Sequence, residues 1–341
     1  MRFARAHGLA LGLRLLGIAL TLATGARASP DPCATSASVS PCFDADPWWI
    51  PTGPTRFAGV PTAHTLPSGV LAWVLGLGVS THPVTLVTPA PHPDGQKIGV
   101  VDLTSTLTLG ARYGLGRGAD LEAVVPFVPY QTGASTESVT SQAPTSLGAV
   151  ALRDPRLGFA ATLLGRSPSA PFSLGTHLAL ALPLGTPGAL AGGPGPTLAP
   201  GFTGELALGR LDVALDLGAR LVQAVSLGTV REGSSATLAL GLSLAVLEKP
   251  LLAVGVEGVL RPSLVRPPAG APSDVSNLPA EWLASLCLKP SSAWMLLLGA
   301  GSGLPLSTAR TPDGPSERVL AVTSPELRGI LTVRYTLPSL L

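Results

Sequence analysis

The chain has 341 residues, of which 12% are charged and 46% hydrophobic, and its formal net charge is +2. Soluble domains average about 25% charged residues, and the 40 glycines and 35 prolines are poor helix formers, so neither an ordinary soluble surface nor a helical fold is expected. The hydrophobic share argues against disorder, and the near-balanced charge offers no basic stripe for nucleic acid.

At the N-terminus, Arg2, Arg5 and Arg14 lead into an uncharged, mostly aliphatic run over 15–24, followed by Ala26-Arg27-Ala28. That is the charged, apolar and small-x-small order of an export signal. The apolar run is too short to cross a bilayer, which takes about 20 residues. Residues 1–28 are therefore expected to be removed after Ala28, with no lipid anchor, because Cys33 lies beyond the cleavage point. The next segment, 29–66, reads equally as a periplasmic extension or as a plug inside a barrel, a place that Trp48-Trp49 would suit. Cys33 and Cys42 are close enough in sequence to pair in an oxidising compartment. No His or Cys stands near them at ligand spacing, so no metal site is expected. Cys287 falls in a strand and reads as a buried, inert thiol.

From residue 67 onward the apolar stretches alternate with period two. Asp102, Thr104, Thr106, Thr108, Gly110 and Arg112 take one face of their segment, and Leu103, Leu107 and Leu109 take the other. Over 211–221, Asp212, Asp216 and Arg220 oppose Leu211, Val213, Leu215, Leu217 and Leu221. Twelve strands are predicted: 70–81, 98–113, 119–130, 154–164, 172–182, 197–208, 211–221, 236–246, 251–261, 281–289, 293–304 and 325–336. The links between them alternate, short ones such as 209–210 and 290–292 with long ones such as 131–153 and 262–280. An even strand count with short turns at one end and long loops at the other describes an outer-membrane barrel. Ten residues rise about 33 Å, and a tilt near 40° brings that to about 25 Å, the height of the lipid-facing band.

The expected fold is thus all-β, a closed antiparallel transmembrane barrel of about twelve strands over 67–341, in outer-membrane lipid. Closure is required because an open edge would leave backbone groups unpaired in hydrocarbon. Alternation alone also fits a soluble two-sheet protein with its leucines inside. Trp73, Phe127, Tyr130, Phe159, Phe172, Trp282, Trp294 and Tyr335 lie near strand ends or on the lipid side, forming a sparse interfacial girdle.

The inward parity collects Asp102, Arg112, Asp120, Glu122, Arg156, His177, Glu205, Asp212, Asp216, Arg220, Glu257, Glu281, Lys289, Arg328 and Arg334. Their balance of signs favours paired networks over a single-sign ring of the kind that sets ion selectivity. Small residues share that face, among them Gly76, Gly110, Gly158, Gly175 and Gly241. Eight strands leave room only for side chains and sixteen leave a water channel, so twelve with a small-residue lining would hold a narrow passage. No nucleophile elbow, zinc-protease motif or phosphate loop occurs, so no enzyme activity and no cofactor are expected. His177 is given a structural role.

Several motifs recur in the order of one outer-membrane family. They are Thr65-Leu66-Pro67-Ser68-Gly69, Ala151-Leu152-Arg153-Asp154-Pro155-Arg156-Leu157-Gly158, Leu180-Ala181-Leu182-Pro183-Leu184-Gly185-Thr186, Leu208-Gly209-Arg210-Leu211 and Ser324-Pro325-Glu326-Leu327-Arg328. Over most of 57–338 the chain resembles the phenol-degradation (MetA-pathway) or transporter-type β-barrels, which include the barrel part of some OmpA-like proteins. The resemblance implies an outer-membrane barrel engaged in transport. The expected function is a narrow pore or uptake route for small solutes, the alternative being a non-conducting barrel with a structural or surface-binding role.

Overall fold

The computed structural model describes residues 40–88, 96–136, 147–167, 170–227, 230–249, 251–266, 278–304, 306 and 320–337. The expected signal sequence and Cys33 lie outside them. Twelve strands form the wall: β1 Leu71–Thr88, β2 Gln96–Gly116, β3 Ala119–Thr132, β4 Arg156–Leu164, β5 Phe172–Ala181, β6 Thr197–Leu208, β7 Leu211–Arg220, β8 Ser235–Glu248, β9 Leu251–Leu260, β10 Ala280–Lys289, β11 Trp294–Gly303 and β12 Leu327–Leu337. Each pairs antiparallel with its sequence neighbours, and β1 pairs with both β2 and β12, which closes the cylinder. No strand edge of this wall is left for hydrocarbon, as the energetics of unpaired backbone groups demand.

The period-two pattern sorts the two faces as the sequence suggests. On β7, Leu215 and Leu217 are 40% and 51% exposed, while Asp216 between them is 4% exposed. On β8, Leu238, Leu240, Leu242 and Leu244 point outward, and Ala239 and Ser243 are buried. The outer surface is therefore a continuous leucine-rich belt, far beyond the few hundred Å² of apolar patch that a soluble monomer exposes. At the end with the short turns, Trp73 faces Tyr335 across the β1–β12 pair and Trp294 faces it across β11–β12. The Trp294 and Tyr335 ring centroids are 4.6 Å apart. The tight link between β6 and β7 has Gly209 at φ +65°, a value that only glycine adopts without strain at the first position of a two-residue hairpin.

Three strands depart from expectation for a visible reason. β1 and β2 run on past 81 and begin before 98, making a long hairpin above the loop end. His82 and Pro83 interrupt the alternation there, and the register shifts between Thr81 and Val84. Beyond that bulge Val84, Leu86, Val100 and Val101 turn inward and pack with Phe43, Ala45, Leu190, Val225 and Leu227 over the mouth. β4 begins at Arg156 rather than at 154, because Pro155 has no N–H for the ladder. Ala151–Leu152 pairs separately with β3.

Candidate functional site

Residues 40–70 run down the inside of the cylinder, from the loop end to the turn end. The Ser40 amide donates to the Ser226 carbonyl at 2.8 Å and the Ala45 amide to that of Leu190 at 2.9 Å, both in long loops. At the other end, the Gly69 amide donates to the Gly114 carbonyl at 2.9 Å. Pro47, Pro51, Pro54, Pro61 and Pro67 keep this luminal segment out of any helix or central strand, yet its buried main-chain groups still need partners.

Wall side chains supply them. The Glu257 carboxylate accepts the amides of Ala58, Gly59 and Val60 at 2.6, 2.8 and 3.2 Å. Arg334 donates to the carbonyls of Phe57, at 3.0 Å, and Thr55. Glu205 accepts the Ala63 amide at 2.9 Å, and its other oxygen lies 3.6 Å from His64. Asp120 accepts the Leu66 amide at 3.1 Å and is held by Arg112 at 2.7 Å. Asp212 pairs with Arg56, and Glu122 accepts from the Thr52 hydroxyl at 2.5 Å. Asp216 accepts from Thr203 at 2.7 Å and lies 3.7 Å from His177.

At the loop end, one buried cluster clamps the segment. Arg153 holds Asp44, the Asp46 carbonyl, the Asp46 carboxylate at 3.1 Å and the Thr106 hydroxyl at 2.9 Å. Arg328 reaches Asp46 at 2.8 Å and Glu281 at 2.6 Å, and Arg261 reaches Glu281 at 3.3 Å. Burial pushes the Asp46 carboxyl up, but Arg328 and Arg153 outweigh it and hold it well below the usual carboxylate range. Asp154 accepts the amides of Gly185 and Gly193, each at 2.8 Å, which pins the loop between β5 and β6.

The segment also supplies apolar filling. Trp48, Ile50, Phe57, Ala58 and Val60 pack on inward Val74, Ala214, Ala239, Val259, Leu283, Leu297 and Ile330. Two arginines lie over each tryptophan: Arg328 and Arg261 over Trp48 at 4.9 and 5.7 Å, Arg156 and Arg220 over Trp49 at 4.4 and 4.0 Å. Among the described residues, cavities remain between segment and wall. One of about 100 Å³ lies beneath the loops, one of about 130 Å³ below the tryptophans, and one of about 660 Å³ at the turn end.

Of the residues that parity placed on the inner wall, Arg112, Glu122, Arg156, His177, Glu205, Asp212, Asp216, Arg220, Glu257, Arg328 and Arg334 all face the luminal segment or its cavities. Asp102 stands apart. It sits at the bulge, exposed, 3.5 Å from His82, which also reaches Glu326 at 3.1 Å. The clamp residues Asp44, Asp46 and Arg56 carry no periodic signal, and Arg261 lies one residue past its strand. Arg153 was visible only inside the Arg153-Asp154-Pro155 motif. The small-residue lining has a different use from the open passage expected of it. A Cβ on Gly241 would stand 2.7 Å from the Phe57 ring, one on Gly76 2.6 Å from Ile50, and one on Gly175 2.7 Å from the Ala63 carbonyl. These glycines are the footprint of the segment.

No family model matches the sequence, and none of the curated proteins does. Solved structures do. The COG4313 outer membrane channel from Pseudomonas putida F1 is 16% identical, with 81% of this chain and 98% of that one covered and a TM-score of 0.55. The fold is that of an outer-membrane β-barrel. Further matches are the KdgM porin in complex with disordered oligogalacturonate (10% identity, 79% and 99% covered, TM-score 0.43) and the outer membrane channel DcaP of Acinetobacter baumannii (10%, 80% and 100%, 0.34).

Proposed function

We propose that this barrel is an outer-membrane channel that passes small solutes between the luminal segment and the wall. The observation that carries the reading is a row of cavities along the segment, in which each shares lining residues with the next. Trp48, Trp49, Arg156, Arg220 and Arg261 line both the first and the second, and Thr62 lines both the second and the third. The route thus follows the segment from the loops, on the cell exterior, to the turns, in the periplasm. The segment acts as a fixed plug that narrows the lumen to a size for small molecules. The likeness to an outer membrane channel agrees with this reading, and membership of the phenol-degradation (MetA-pathway) transporter type is proposed on the motifs. Arg153 and Asp154, the centre of one motif, clamp the plug and a loop to the wall. Residues 1–28 are proposed as the export signal and Cys33–Cys42 as a disulfide.

The test is conductance of the refolded full chain in planar bilayers. Small, steady unitary currents are expected, and deletion of 40–66 is expected to raise them several-fold. A wild-type barrel that inserts but stays silent across the voltage range overturns the pore and leaves the non-conducting alternative.

A further inference from the structure

The two tryptophans of the plug differ in the charge around them. Over Trp48, both arginines are neutralised: Glu281 takes Arg261 and Arg328, and Asp46 takes Arg328 a second time. Over Trp49, neither Arg156 nor Arg220 has a carboxylate in ion-pair range among the described residues. The acids facing the same two cavities are engaged elsewhere. Asp44 holds Arg153, Asp154 holds two loop amides, Glu122 holds the Thr52 hydroxyl, and Asp216 holds Thr203 and His177. Glu232, on the first cavity, makes an interaction of its own.

An indole face attracts a cation but has no net charge to cancel it. Arg156 and Arg220 therefore bring to one ring two positive charges that no direct ion pair cancels, about 8 Å apart at most given their distances to it. Both line the first and second cavities, so they stand at the throat between them, where low-dielectric walls focus the field. A cation crossing there loses water and meets repulsion, whereas an anion exchanges water for guanidinium donors. Arginine's planar fork also matches a carboxylate in two parallel hydrogen bonds.

We infer that this throat is an anion filter, with Arg156 and Arg220 recognising small carboxylate-bearing solutes as they pass Trp49. The inference rests on the pore reading and names the charge class that the pore favours. The full-length barrel in planar bilayers under a potassium chloride gradient tests it by the reversal potential, with potassium acetate as a second salt. Chloride and acetate are each expected to permeate at least roughly fivefold better than potassium. Arg156→Gln with Arg220→Gln is expected to bring the ratio near one, while Arg210→Gln, at an exposed turn, leaves it unchanged. A conducting barrel without anion preference, or one whose preference survives the double substitution, overturns the filter and leaves the pore standing. A silent barrel removes the pore, and the site is then decided in detergent by tryptophan quenching in a Trp73→Phe, Trp282→Phe, Trp294→Phe background. Iodide quenching that exceeds caesium quenching and falls with the two arginines supports an anion site. Equal quenching by the two ions overturns it.

Discussion

Glu257 is 1% exposed, and its carboxylate faces three successive amides of the plug. A buried charge of this kind is tolerable only when its hydrogen bonds are complete. Glu257→Ala leaves those three donors unsatisfied and is expected to loosen the plug by about 3 kcal/mol, the scale of stripping bonds from a charged acceptor. The urea dependence of proteolysis within 40–66 reads that cost, while heat-modifiable migration of the barrel should persist. At Asp46 the linkage with pH has a definite sign. Its folded carboxyl titrates below the unfolded value of about 3.9, so the stability it supplies is complete above that value. That stability is lost only as pH falls through the lower, folded one. The wild-type plug is thus expected to stay protected from protease from pH 7 down to about 4. Asp46→Asn is expected to be cut several-fold faster already at pH 7. Equal protection of the two proteins at pH 7 would refute the clamp.

Among the elements, the strands were legible, whereas the plug was only one of two equal readings of 29–66 and its course was not. Leucines at every second position identify a wall whether or not their neighbours are known, because lipid on one side and side chains on the other impose one rule along each strand. Parity alone placed Glu257, Arg328 and Arg334 inside. Parity misleads where a bulge breaks it, at His82-Pro83, where Asp102 leaves the lumen for the exposed rim. It also stops short at the plug, whose extended, proline-broken course has no period and whose partners are distant in sequence. The inner glycines were misread as empty space because a missing side chain looks the same whether water or another segment fills the gap. Gly175 distinguishes the two. A Cβ there would stand 2.9 Å from the Ala63 Cα, so Gly175→Val must push the plug's backbone, at an overpacking cost of about 1–3 kcal/mol. Faster cleavage within 40–66, with the barrel intact, is the expected outcome. Unchanged cleavage would mean that the segment does not lie against that wall.

For the whole molecule, the fold is governed by an inversion: leucines outside, charges and the plug's tryptophans inside. Leu215 and Leu240 face each other across the β7–β8 pair on the outer surface. Leu215→Arg and Leu240→Arg are each expected to cost about 2–4 kcal/mol of folding into vesicles if they lie near the midplane, whereas a soluble sandwich would suffer core collapse in plain buffer. The five tryptophans report the inversion most directly. Trp73, Trp282 and Trp294 are 43%, 40% and 46% exposed on the outer face, and Trp48 is 6% exposed within. The barrel refolded into vesicles of brominated lipid, with either the inner pair or the outer three replaced by phenylalanine, gives the decisive measurement. Strong quenching is predicted when Trp73, Trp282 and Trp294 remain and little when only Trp48 and Trp49 do. The reverse pattern, or a chain that folds in buffer and ignores the lipid, would contradict the account.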